Sequence, residues 1–344
     1  MNKASGIVAT LGIDLAKRIF ALHGVDASGK TVLRRMVHRA ELLKTIANLP
    51  PCLIGLEACS GAHEWARRFQ GFHHTVRLIA PTFVTPFRRS GKNDHNDAEA
   101  ICEAVGRPNI RFVPVKSREQ QAVLTLHRVR QGLVEERTAL INRIRGLMTE
   151  FGFVFATRTG GLRAGIHDAI EQLPLLAAQG IRDLLDHLQS LTERVARYDS
   201  QFRELARQDE RARRVMTVPG VGPITALGVT ATLGDAREFK NGRQLAAWLG
   251  LTPKQHSSGG KTRLSGITKH GDDYLRTLLI LGARATMQHA TRRAHTRLDR
   301  WAVSVSERRG YHKAVVALAA KNARIIWALL VSQKEFEVGA AAAA

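Results

Sequence analysis

The sequence predicts a mixed fold, α/β at the amino end and all-α over most of the remainder, on two observations. Strand-length runs of β-branched and apolar residues lie before Ala80, divided by turn chemistry and helix-length segments. From Ser117 onward the apolar residues recur at intervals of three and four, the spacing of helices. With 344 residues the chain exceeds what one core organises, so several domains are expected: 1–116, 117–211 and 212–335, with a disordered tail at 336–344.

Ile7 to Ile13 (IVATLGI) reads as a first strand ending in Asp14, and Ile19 to Val25 (IFALHGV) as a second. Thr31 to Val37 is a third, reached through the turn residues Asp26-Ala27-Ser28-Gly29. The three form a meander with an acid at the carboxyl end of its first, central strand. Ala40 to Leu49 reads as a helix, Cys52 to Leu56 as a buried strand ending in Glu57, Ala58 to Phe69 as a turn into another helix, and Val76 to Ala80 as a last strand. A basic loop carrying Arg88, Arg89 and Lys92 then enters KNDHNDAEA, Lys92 to Ala100. There Asp94 and Asp97 head an apolar-periodic run (Ala98, Ile101, Cys102, Val105). On a helix their Cβ atoms stand roughly 5–6 Å apart. Acids that close repel unless a cation joins them, which is how Mg²⁺ is held, although first-turn acids also suit the helix dipole alone. Asp14 and Glu57 tip the balance: active sites of open α/β sheets gather at strand carboxyl ends, and four acids at element ends fit one site.

Ser117, with Gln120 three residues on, has the form of a helix-starting capping box. Leu126, Val129, Leu133, Leu140, Ile144, Leu147 and Phe151 follow at heptad spacing with one gap; Ile181, Leu184, Leu188, Leu191, Val195, Tyr198, Phe202 and Leu205 keep it unbroken. Seams of this length predict a coiled-coil hairpin, turning near Gly160-Gly161 and Pro174, within one chain or between two. Dimerisation would be its consequence.

In the last third, VPGVGP (Val218 to Pro223) before the helical run Ile224 to Leu233 resembles a helix-hairpin-helix element. Gly220 and Gly222 would permit a tight turn and Pro223 suits a first helical position, so a phosphate could sit there; an ordinary Gly/Pro turn is the plainer alternative. Gln244 to Leu249 reads as a short helix and Gly250 to Gly260 (GLTPKQHSSGG) as an extended loop. Lys261, Arg263, Lys269 and Arg276 precede a mostly helical tail rich in arginine, including Arg292, Arg293 and Arg297; at this density they read as phosphate contacts.

Charge narrows the function classes. Fifty-two Lys and Arg against 30 acids give +22 and a pI near 11, which points to nucleic acid as partner. No signal peptide or uninterrupted membrane-spanning run is read; the nearest, Ala314 to Val331, is broken by Lys321, Asn322 and Arg324. Three cysteines without CxxC spacing fit a reducing cytoplasm and no structural zinc, and the histidines form no ligand-like pair.

The segments GIDLAKRIF, IGLEACSG and KNDHNDAEA resemble the RuvC-like domain of the DEDD insertion-sequence transposases, the insertion-sequence one-ten family with its eleven-eleven subgroup and the pilin-gene invertase Piv. The resemblance maps the family's four acids onto Asp14, Glu57, Asp94 and Asp97, and implies a ribonuclease-H-like fold and divalent metal, Mg²⁺ or Mn²⁺. Pro253 with Ser258-Gly259 matches the family's P-x-x-x-x-S-G pattern, which implies Ser258 as nucleophile, with Ser257 beside it leaving a one-residue ambiguity. It further implies donor and target DNA, a structured guide RNA and a homo-oligomer, dimer or tetramer, that brings acids and serine together across subunits. Three rivals remain. A RuvC-like hydrolytic nuclease would not need Ser258. A sugar or acetate kinase would need glycine-rich phosphate loops that are missing. A non-enzymatic DNA-binding protein would tolerate loss of the acids.

Overall fold

The computed structural model describes residues 6–89, 93–156, 159–163, 165–292 and 296–337, and divides into two compact units, Met1–Arg118 and Glu119–Ala344. The first unit is α/β. Its strands are β1 (Thr10–Asp14), β2 (Ile19–Val25), β3 (Thr31–His38), β4 (Leu53–Glu57), β5 (Thr75–Ile79) and the two-residue β6 (Phe112–Val113). Helices α1 (Arg39–Ala47), α2 (Ala62–Gln70), the short α3 (Pro81–Val84) and α4 (Asp94–Val105) complete it. The sheet order is β3-β2-β1-β4-β5-β6, with β1, β4 and β5 parallel and the others antiparallel to their neighbours. Alternation sorts the faces: Leu11, Ile13, Ile54 and Leu56 pack with Leu42, Ile46, Trp65 and Phe69 of α1 and α2, and the intervening residues face α4. The meander, the central β1 and the acids at the ends of β1 and β4 are as the sequence predicts.

The second unit is mostly helical. It comprises α5 (Arg118–Thr149), the short α6 (Thr159–Arg163) and α7 (Ile166–Glu171), α8 (Leu175–Gln208), α9 (Glu210–Met216), α10 (Pro223–Leu233) and α11 (Gly242–Trp248). A hairpin of β7 (Pro253–Ser258) and β8 (Lys261–Ile267) follows, then α12 (Asp273–Ala290), α13 (Arg297–Arg309) and α14 (Tyr311–Ser332). Helices α5 and α8 pair antiparallel within the chain: Arg130 meets Asp199, Glu136 meets His187, and Leu133, Leu140 and Ile144 share a core with Leu191 and Val195. On α8 the seam from Ile181 to Val195 joins this core, while Phe202 and Leu205 pack into the core of the carboxyl-terminal helices. On α5 the buried stripe is His127, Leu133, Leu140, Ile144 and Met148, one residue later than the predicted seam at both ends, so Val129, Leu147 and Phe151 are exposed.

Helix α14 passes, by length and composition alone, for a membrane-spanning segment. It serves as the core helix of its unit: Ala314, Leu318, Ala319, Ala323 and Ile326 are buried, and the buried Asn322 donates to the Pro219 carbonyl at 3.0 Å. The expected disordered tail begins at Phe336, whose backbone N–H donates to Thr217 Oγ1 and whose ring packs on this core; residues 338–344 lie outside those described.

Candidate active site

Two missing methyl groups bring α4 onto the sheet. Gly12 of β1 and Gly55 of β4 are register partners. A Cβ on Gly12 would meet the Ala98 carbonyl oxygen at 2.2 Å and the Cys102 nitrogen at 2.4 Å; one on Gly55 would meet Val105 Cβ at 2.8 Å. The helix backbone therefore lies against the strands at a distance no larger residue permits. Asn93 caps α4 by accepting from the Asn96 N–H at 2.8 Å, which fixes the first turn and with it Asp94 and Asp97. All four predicted acids thus belong to the carboxyl-end edge of β1 and β4.

The four carboxylates lie close enough for the charges of the other three to act on Asp14. The Asp14 carboxyl is pushed up to about 6, first by its own burial and then by the charges of Asp97, Asp94 and Glu57, with Arg88 pulling the other way. Among the described residues no three His, Cys, Asp or Glu side chains form a ready cation cluster. Arg88 stands between two of them. Its Nε donates to Asp97 Oδ1 at 2.9 Å and its Nη2 to Glu57 Oε2 at 3.0 Å. Arg89 pairs with Glu99 at 2.8 Å. Both arginines, expected to contact nucleic acid, are thus engaged by carboxylates, which compete for a guanidinium as phosphate does. Lys92 lies outside the described residues.

The predicted extended loop before Gly260 is instead one arm of the β7–β8 hairpin. Ser258 pairs with Lys261 across the two-residue turn Gly259-Gly260, whose φ angles of +55° and +76° are the left-handed pair a tight hairpin requires. The two serines point to opposite faces of the strand. Ser257 Oγ accepts from Gln255 Nε2 at 2.9 Å, while Ser258 Oγ has no partner among the described residues. His256, Ser257, Ser258, Lys261 and Arg263 line a shallow concavity.

Comparison with known proteins is decisive at this point. Residues 11–153 match the DEDD transposase model of the IS110 type, and residues 212–299 match the model described as Transposase IS116/IS110/IS902 family. The chain is 42% identical to the transposase for insertion sequence element IS1111A of Coxiella burnetii, over 97% of this chain and 92% of that protein. It is 38% identical to the IS1328 transposase of Yersinia enterocolitica, over 93% and 96%, and 48% identical to a Pseudomonas aeruginosa protein named "Probable family 20 transposase", over 96% and 99%. The chain belongs to the IS110/IS116/IS902 family of insertion-sequence transposases.

The transposase is thus an enzyme of DNA strand cleavage and transfer, and its DEDD domain carries a general dependence on divalent metal. The donor set fits such an ion: carboxylates are the hard oxygen ligands it takes, and a cationic group already bridges Glu57 and Asp97. Other predicted nucleic-acid residues fall into two groups. Lys261, Arg263, Lys269, Arg292 and Arg297 are exposed, with Lys269 in a left-handed conformation (φ 57°) and Arg297 opening α13. Gly222 is exposed as the cap of α10, but Gly220 (φ +83°) is needed for packing, because its added Cβ would lie 2.4 Å from the Gly282 carbonyl of α12. Arg293 lies outside the described residues. Arg276, expected on the basic surface, is buried: it donates to the carbonyls of Leu249 and His270, both at 3.0 Å, and pairs with Asp273. It anchors the chain on either side of the hairpin. Sequence reasoning passed over His127, which is buried, bonds Tyr274 through Nδ1 at 2.9 Å and lies against Phe202, joining α5, α8 and α12.

Proposed function

We propose that the transposase cuts and rejoins DNA through a phosphoserine intermediate, with Ser258 as nucleophile and Asp14, Glu57, Asp94 and Asp97 as the residues that hold Mg²⁺ or Mn²⁺. Ser258 Oγ forms a bond to the phosphorus of a scissile phosphodiester and gives up its proton; the bond to the departing deoxyribose oxygen breaks, and that oxygen takes up a proton. A hydroxyl of a second DNA end then attacks the phosphoserine and restores the serine. The divalent ion, when bound, supplies Lewis-acid polarisation of the phosphate and stabilisation of the leaving oxygen.

The observation that carries the reading is the common field of the four acids, sensed at Asp14, in a chain of the DEDD family. The strand order, mixed and centred on β1, supports a ribonuclease-H-like fold for this unit. Ser258 is preferred to Ser257 because its hydroxyl is unengaged beside a glycine turn that lets a backbone approach closely. The net charge of +22 and the exposed Lys261, Arg263, Lys269, Arg292 and Arg297 support polyanion clients, donor and target DNA together with a structured guide RNA, in the cytoplasm. Exposed Leu147, Phe151, Val154, Leu175 and Leu176, at one end of the α5–α8 pair, support a homo-oligomer assembled through the 117–211 region. In this reading 1–116 supplies the metal site and 212–335 the nucleophile.

The test uses a labelled suicide DNA substrate with matched guide RNA and Mg²⁺. Wild type is expected to form a denaturation-resistant protein–DNA adduct, Ser258→Ala and Asp97→Ala to form none, and Ser257→Ala to retain it. Cleavage without an adduct that survives Ser258→Ala overturns the serine mechanism in favour of hydrolysis.

A further inference from the structure

Arg88 is a cation inside an acidic site. Its guanidinium reaches Glu57 at the end of β4 with one nitrogen and Asp97 in the first turn of α4 with another. The contacted side chains are only 18% and 12% exposed, so water screens the pairs weakly and neither carboxylate is left uncompensated. The N–O separations of 3.0 and 2.9 Å exceed the roughly 2.0–2.1 Å at which Mg²⁺ takes its oxygens. A guanidinium between the two carboxylates therefore holds them wider apart than a shared metal would, in keeping with the lack of a converged cluster among the described residues. The same guanidinium cannot stay in place while both oxygens ligate an ion. Arginine also prefers a bidentate phosphate as readily as a carboxylate.

Resting on the reading of the four acids as a metal site, we propose that Arg88 is the resident cation of that site and couples DNA to metal. A phosphodiester arriving at the sheet edge draws the guanidinium from Glu57 and Asp97, and both carboxylates become free to hold a divalent ion. Without DNA the arginine competes with the metal and keeps the strand-cleavage chemistry unarmed. Linkage requires the converse: metal raises affinity for DNA by the same factor that DNA raises affinity for metal. Arg88 is in this sense a positioning residue, acting on the reaction through the two acids.

The experiment measures Mn²⁺ binding to the full-length protein without DNA, by the loss of the free-ion paramagnetic resonance signal, for wild type, Arg88→Gln and Arg88→Lys. Arg88→Gln is expected to bind Mn²⁺ about ten-fold more tightly than wild type, within the usual range of coupling between sites. Arg88→Lys, which keeps the competing charge, is expected to stay near wild type; a merely structural arginine would give the same result for both. Adding duplex DNA, with its own Mn²⁺ binding subtracted, is expected to tighten binding to wild type more than to Arg88→Gln. If Arg88→Gln does not fold, the Arg88 Nε–H resonance of wild type replaces it: Mg²⁺ is expected to shift that signal, and an unmoved signal while Mg²⁺ binds overturns the proposal. Equal or weaker Mn²⁺ binding by folded Arg88→Gln overturns it too, leaving the metal site standing. Failure of wild type and both variants to bind Mn²⁺ at all removes the metal site and the proposal together.

Discussion

Asp97 heads a helix clamped to a sheet by two glycines, with its carboxylate held in an ion pair; Ser258 ends a strand in a hairpin where every residue from Pro253 to Gly266 is exposed. The first environment is assembled by a hydrophobic core before any substrate arrives. The second has no apolar face, and an isolated two-stranded hairpin is marginal in water. In the proposed reading this is a division of labour, with geometry fixed where charge is held against repulsion and left free where the proposed nucleophile meets its phosphate. It also separates the two kinds of damage that substitutions would do.

The sharpest contrast is expected from Ser258→Ala, which should abolish adduct formation while leaving the melting temperature unchanged, since no intramolecular partner of its hydroxyl exists among the described residues. A fall of several degrees would show that the hairpin is built into the fold. The two units should next part company in acid. His127 is held down to about 4 by burial and by Arg130, so between pH 4 and 6.5 the unfolded chain binds a proton that the folded one refuses. Stability of the second unit therefore falls as pH drops through that window, by on the order of 3 kcal/mol. Asp14, raised to about 6, works in the opposite sense, since in the metal-free protein the folded state binds the extra proton between pH 3.8 and 6; His63 of the same unit, held down to about 4 by burial and by Lys116 and Arg67, offsets it, so the first unit changes less with pH than the second. A melting transition of the second unit that falls more steeply in acid than that of the first would confirm this, and equal slopes would refute it.

Gly12→Ala should cost about 2–3 kcal/mol by overpacking and depress activity, whereas Gly259→Ala, whose Cβ meets nothing within 4 Å, should cost about 1 kcal/mol of local backbone strain. Differential scanning calorimetry on both distinguishes a clamped site from a loose one; equal costs would blur the distinction. The smallest effect is expected from Lys261→Ala, which should lower the slope of log K against log salt for DNA by about one, without changing sequence preference. An unchanged slope would take this lysine out of the interface.

The legible parts of the chain were those encoded by local pattern. β1 and β4 are continuous apolar runs, each ending in its acid, and the spacing of Asp94 and Asp97 follows from helical geometry. The hairpin escaped because PKQHSS has no apolar alternation to mark a strand, although the Gly259-Gly260 dipeptide between two extended runs is the signal that finds it. Arg276 was misread because charge counting is blind to burial, and His127 because a lone histidine beside a heptad position looks like surface. The pairing of Arg88 joins residues 31 and 9 positions away through tertiary structure alone, and no local pattern carries that information.

Gly12 and Gly55 touch none of the chemistry, yet they set the gauge of the site from beneath, because the height of α4 above the sheet is the height of Asp94 and Asp97 above Asp14 and Glu57. A side chain added there would act as a shim. In the proposed metal site the ionic radius accepted would thus be set from a layer beneath the acids, and a lineage that changed these glycines would shift its metal preference while its acidic signature stayed letter for letter the same.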